Sequence, residues 1–161
     1  MQARGDLTPF LAEEGTDPRE ALAKHLVKNI PKGACVLTYN RGFEQGVIRE
    51  LAEQVPRYAK ELMAVHGSIV DLMVPFRQKH IYNKKMNGSY SIKSVLPALV
   101  PEMGYEGMAI SDGGQASNTY ATLHLVQDEK ERQAIRKDLL EYCKLDTLAM
   151  VRIIENLKGA V

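Results

Sequence analysis

Residues 34–44 read Ala34-Cys35-Val36-Leu37-Thr38-Tyr39-Asn40-Arg41-Gly42-Phe43-Glu44, and their reading decides the fold class. Ala34 to Tyr39 is short, apolar throughout, and bounded by Pro31-Lys32-Gly33 on one side and Asn40-Arg41-Gly42 on the other. A run of that length between turn residues predicts a buried strand. From Phe43 the pattern changes: Val47, Ile48, Leu51 and Val55 recur at helical spacing and predict a helix over 43–55. Asn40 is the expected cap of that helix. A strand flanked by helices predicts an α/β layer fold.

The flanking sequence fills in the rest. Upstream, Thr16-Asp17-Pro18-Arg19-Glu20 reads as a helix start, with Asp17 as cap, Pro18 in the first helical position and Glu20 closing a capping box. Leu22, Leu26 and Ile30 continue it until Pro31. Downstream, Pro56 opens a helix to Gly67, and residues 68–74 are apolar around Asp71, consistent with a short strand or a helix start. Residues 80–90 read as loop or hairpin. Residues 91–100 read as a helix that Pro97 ends or kinks, and residues 111–120 as a turn leading into a helix near Gln115. From Asp128 to Leu157 the pattern is strongly helical, with Tyr142 the one place where a break is expected. One strand is not a sheet. Its partners are expected within residues 1–11 and 68–90, or outside the chain.

Composition narrows the function classes. With 161 residues a single domain over 1–161 is expected. Lys and Arg number 21 against 20 Asp and Glu, so the net charge of +1 provides no bulk field toward nucleic acid or membrane, and any such site must come from local clustering. Cys35 and Cys143 sit in apolar runs, which argues against a disulfide scaffold or a cysteine zinc site and fits a reducing, cytoplasmic setting. No apolar run reaches the ~18 residues of a membrane span. The start, Met1-Gln2-Ala3-Arg4-Gly5-Asp6, lacks the apolar centre of a signal peptide.

Two acids sit where acids are costly. Ile135, Leu139, Tyr142, Met150, Ile153 and Leu157 form one helical stripe, and Asp146 falls near its centre, four residues after Tyr142. A carboxylate there needs a partner or a metal, and the plainer explanation is that it caps or pairs with a neighbouring element. Glu44 is likewise central to the 43–55 stripe, just beyond the end of a strand, where α/β folds build their sites. Its plainer explanation is a favourable meeting with the helix dipole. Asp71 is a weaker third candidate, since an Asp ahead of Leu72 also reads as a cap. Hard cations such as Mg²⁺ take oxygen ligands, and a two-metal phosphodiesterase site wants about three or four carboxylates.

Tyr142-Cys143-Lys144-Leu145-Asp146 is a Tyr-x-x-x-Asp element, and Asn40-Arg41-Gly42-Phe43-Glu44 is close to Asn-x-x-Phe-Asp. In that order they resemble the second and third motifs of the ribonuclease H-like 3′–5′ exonucleases of the DEDDy type, which include the proofreading domains of family B DNA polymerases. Residues 142–150 are especially similar to those polymerases, and Tyr90 to Val95 resembles the intervening segment. Closer still is the resemblance to a bacterial domain of unknown function found beside RecB-like nuclease modules. Its Gly-Ser-Tyr-Ser-x-Lys and Asp-Gly-x-x-Ala elements correspond to residues 88–93 and 112–116. The resemblance covers about residues 7–157. It implies a helix-rich ribonuclease H-like exonuclease fold and metal-dependent hydrolysis of nucleic acid from a 3′ end. It implies Asp146 and Glu44 as ligands of Mg²⁺ or Mn²⁺, Tyr142 beside the attacking water, and Asn40 as support for the helix start. Glu44 stands where the family has Asp. The family's first motif, Asp-x-Glu at the end of a first strand, has no counterpart here. The expectation is therefore an N-terminally truncated domain, weak or inactive alone. It would self-associate, or take a replacement strand from residues 1–11, and its expected partners are a missing N-terminal segment or a nuclease module. The alternative is a non-catalytic nucleic-acid-binding or protein-interaction module retaining the fold.

An independent hint lies between Asp71 and Glu102, an interval with no acid. It holds Arg77, Lys79, Lys84, Lys85 and Lys93, with Phe76, Tyr82 and Tyr90 interleaved. Cations that follow a phosphate backbone and aromatics that stack on bases are what a single-strand groove needs, and Tyr82 and Tyr90 are the expected stacking residues. The plainer reading is a solvated loop that happens to be basic.

Overall fold

The computed structural model describes residues 8–159. Helix α1 spans Arg19–Asn29. Asp17 begins it by accepting the Arg19 backbone N–H at 3.1 Å. Pro18 stands in the cap position, one place ahead of where the sequence puts it. The expected capping box is not closed, because Glu20 reaches across to Arg57 at 2.6 Å.

Strand β1 is Val36–Thr38, the centre of the expected run. Helix α2 (Arg41–Gln54) follows it directly, and after the turn Pro56–Tyr58 comes α3 (Ala59–Ser68). Strand β2 (Ile69–Asp71) settles the reading of residues 68–74: a strand first, then the short helix α4 (Val74–Arg77). β1 and β2 are parallel, with Val36 opposite Ile69, Leu37 opposite Val70 and Thr38 opposite Asp71. They are the only strands among the described residues. Parallel strands need a crossover, and α2 with α3 supplies it.

Side chains alternate along a strand, so the two faces of this pair differ. Val36 and Ile69 look into a core of Ala23, Ile48, Leu51, Leu62 and Val65, contributed by α1, α2 and α3. Leu37 and Val70 look the other way and are exposed, at 38% and 48%.

The C-terminal half forms a second core. Beyond the turn Lys84–Met86 come α5 (Ile92–Leu99), capped by Ser91, α6 (Gly113–Thr122), capped by Asp112, and α7 (Glu129–Gly159). Val95 and Leu96 of α5 meet Leu139, Tyr142, Ala149 and Ile153 of α7, with Phe76, Met86 and Leu123 filling between. α7 runs unbroken through Tyr142, contrary to expectation. No Gly or Pro lies between Glu129 and Lys158, and Tyr142 is buried against the core rather than turned out.

Residues 1–7, where part of a replacement strand is expected, lie outside the described residues. Thr8 to Leu11 carries no strand. The arm is held on α7 instead: the Arg136 guanidinium donates to the carbonyls of Leu11 and Ala12 at 3.1 and 3.0 Å and pairs with Glu14 at 2.5 Å. No helix among the described residues is long and apolar enough to cross a membrane.

Ile153 is fully buried where α7 meets the second core. Ile153→Ala removes its packing and leaves a cavity, at a cost of about 3 kcal/mol. Thermal unfolding is expected about 6–12 °C lower for this variant.

Candidate functional site

The carboxyl ends of β1 and β2 lie side by side, and the chain turns there into α2 and α4. Asp71, the last residue of β2, joins them. Its Oδ1 accepts the backbone N–H of Met73 at 2.9 Å and that of Asn40 at 3.1 Å. Asp71 closes the turn ahead of α4, whose cap position is Met73, and also links the two strand ends. Asn40 occupies the cap position of α2, but its side chain makes no capping bond. It sits in the left-handed region at φ 78°, a conformation Asn tolerates better than most residues, and its backbone N–H is what Asp71 holds.

Glu44 lies one turn into α2, in line with Ile48, Leu51 and Val55 on the face turned toward the sheet. Burial raises its pKa above the ordinary 4.5, and the Asp71 carboxylate nearby adds to the rise. Its Oε2 is buried with no hydrogen-bond partner.

Asp146 has different company. Its Oδ1 accepts the Tyr105 hydroxyl at 2.6 Å, and the Tyr105 and Tyr142 rings lie 6.2 Å apart. Burial pushes both phenols well above their ordinary range, and the nearby Asp146 carboxylate adds to the rise. Gly113, at the start of α6, lies close to the Tyr142 hydroxyl. The expected Tyr142–Asp146 neighbourhood is therefore present. Asp146 accepts from Tyr105, while Glu44 has the Asp71 carboxylate nearby. No group of three His, Cys, Asp or Glu placed to hold a metal occurs among the described residues.

Tyr105 and Tyr39 are participants that the sequence reading missed. Tyr105 sits between Gly104 and Gly107 in a stretch with no periodicity, so only the tertiary contact marks it. Its ring borders a cleft of about 780 Å³ shared with Lys93, Gly104 and Ser111. Tyr39 reads as the end of a strand. In the fold it stacks near Phe76 at 6.5 Å and donates its hydroxyl to the Tyr90 carbonyl at 2.6 Å. With Asn40, Ser89 and Ser91 it lines a smaller cleft of about 350 Å³.

That bond ties the basic interval to the end of the sheet. Arg77, Lys79, Lys84, Lys85 and Lys93 are all exposed, and none forms an ion pair among the described residues. Tyr82 and Tyr90 are 58% and 46% exposed. The backbone beneath them is pinned. Phe76 and Met86 are buried, the Asn83 Oδ1 accepts the Lys85 N–H at 3.0 Å, and its Nδ2 donates to the Ala98 carbonyl at 3.1 Å. Asn87 and Gly88 turn the chain through the left-handed region, at φ 49° and 79°, where glycine carries no side-chain penalty. Cys35 and Cys143 are free and exposed.

Residues 2–91 match a family described only as Domain of unknown function (DUF2779). That description assigns no activity and no link to exonucleases. No curated protein and no solved structure matches the chain.

A carboxyl whose folded pKa is raised favours its neutral form. Its contribution to stability is complete below the ordinary value of 4.5 and is lost as pH rises through the folded value. Glu44→Gln keeps the shape and removes the charge. In chelator at pH 7 this variant is expected to melt higher than the wild type, and the two are expected to converge below pH about 4. Melting curves across pH 3–8 check this.

Proposed function

The chain belongs to this family of unknown function, and from that premise we propose that it is a single-stranded nucleic-acid-binding module whose contact surface is the segment 77–93. The observation that carries the proposal is the exposed, pinned, acid-free segment itself. Five cations stand in solvent with no ion pair among the described residues, and two half-exposed tyrosines stand among them. Cations left without internal partners are available to phosphates, and each exposed tyrosine ring is a platform for a base. Because the backbone is already ordered by Asn83, Met86 and the Tyr39–Tyr90 bond, little conformational entropy is lost on binding. The ribonuclease H-like fold suggested by motif order is part of the same proposal. The parallel strand pair with its helical crossover is compatible with it.

A second reading, metal-dependent 3′–5′ exonuclease activity, is favoured by the Tyr142–Asp146 neighbourhood at the end of the second core. In that reading Asp146 and Glu44 would hold Mg²⁺ or Mn²⁺. The described residues do not fit it well: Glu44 and Asp146 have different carboxylate and phenol neighbours, and two-metal hydrolysis wants more acids than they bring. No hydrolytic step is therefore derived. Mg²⁺-dependent shortening of an end-labelled oligonucleotide, abolished by Asp146→Asn, would establish this reading over the first.

Fluorescence titration of a labelled single strand in chelator, at several salt concentrations, tests the binding proposal. Each phosphate contact contributes a slope of about −0.7 in log affinity against log salt. Replacing Lys84 and Lys85 with Ala is expected to flatten the slope by about 1.4. Tyr82→Ala is expected to weaken binding about tenfold while leaving the slope unchanged. Equal slopes for wild type and the double variant would remove the segment from the interface.

A further inference from the structure

Three buried side-chain nitrogen or oxygen atoms lack a hydrogen-bond partner among the described residues, and two of them, Thr38 Oγ1 and Glu44 Oε2, belong to the same corner of the molecule. Thr38 is more than nine-tenths buried, at 7% exposure. It is the register partner of Asp71, and partners in a parallel pair project from the same face of the sheet. That face is the one α2 covers. Glu44 looks onto it from the first turn of α2, the turn that Asp71 anchors through the Asn40 N–H. A hydroxyl and two carboxylates are thus gathered at the carboxyl end of the strand pair. Asp71 spends only Oδ1 on backbone donors, and no bond to its Oδ2 occurs among the described residues. Neither carboxylate forms an ion pair there.

We propose that Thr38 Oγ1, Glu44 Oε2 and the free oxygen of Asp71 form a site for one hard divalent cation of the Mg²⁺ or Mn²⁺ class, with water completing its shell. The donor set is all oxygen and includes two anions, which is what such cations take. A Thr hydroxyl beside acidic oxygens is a recurrent Mg²⁺ ligand. A buried water could satisfy the hydroxyl, but it would leave two adjacent negative groups uncompensated, whereas a cation satisfies all three donors and cancels the repulsion. Asp146 is not among its donors, and the site stands whether or not segment 77–93 touches nucleic acid. It adds two donors that the resemblance does not imply, Thr38 and Asp71 of the strand pair.

The test is thermal unfolding of the chain with Mn²⁺ or Mg²⁺ as the probe, against chelator. The wild type is expected to gain about 3–5 °C when the metal is in tenfold excess over its Kd. Thr38→Val replaces an unpartnered hydroxyl with a methyl group of similar size. In chelator it is expected to melt at least as high as the wild type, while its affinity for Mn²⁺ falls about tenfold. Glu44→Gln is expected to abolish the metal-dependent gain without lowering the metal-free melting temperature. Asp146→Asn is expected to keep the gain. No gain in the wild type, or a gain that Asp146→Asn removes and Thr38→Val leaves intact, would overturn the proposal. Because this readout involves no oligonucleotide, its failure is distinguishable from failure of the strand-binding reading.

Discussion

The pairing of two three-residue strands is the constraint from which the rest of this molecule follows. β1 and β2 run parallel, and the ladder continues past the strands when the Leu72 N–H donates to the Thr38 carbonyl at 2.8 Å. A pair this short has little stability of its own. It is held by α2 and α3, which link the strands and bury Val36 and Ile69 on one face. Asp71 then fastens the two carboxyl ends together through the N–H groups of Asn40 and Met73. One side chain thereby sets the start of α2, the exit from β2 and the placement of Glu44.

That arrangement has an electrostatic consequence. Glu44 is placed next to the carboxylate that anchors its own helix, so its charged form is disfavoured both by burial and by repulsion. Asp146 is stabilised differently, by the phenol of Tyr105 against a buried stretch of α7. The two acids that look alike in sequence, each central to an apolar helical stripe, therefore occupy chemically different settings. The basic segment 77–93 lies against the same end of the sheet through Tyr39, whose hydroxyl holds the Tyr90 carbonyl. An acidic corner and a cationic segment thus share one end of the fold.

Much of the architecture is legible in the sequence. Apolar residues at helical spacing located α1, α2, α3 and α7, because each must turn one stripe toward a core and the spacing records that need. The turn chemistry of Asp112 and Ser91 matches the starts of α6 and α5. Other features were not legible, for physical reasons. Residues 68–74 suit a strand or a helix equally, and only the presence of β1 at pairing distance selects the strand. The capping box at Glu20 is locally satisfactory, yet Arg57, 37 residues away in sequence, takes that carboxylate instead.

The sequence by itself determined which side chains are out of place: Glu44 and Asp146 on apolar stripes, and a run of cations without acids between Asp71 and Glu102. These follow from local spacing, since a helix's period and a segment's charge do not depend on distant residues. Tertiary structure alone decided who meets whom. Asp71 became a neighbour of Glu44, because strand register sets Asp71 opposite Thr38 while α2 starts from the same corner. Tyr105 became the partner of Asp146 across 41 residues of chain. Pairings of that kind depend on how whole elements pack, and the spacing of residues along one element carries no record of them.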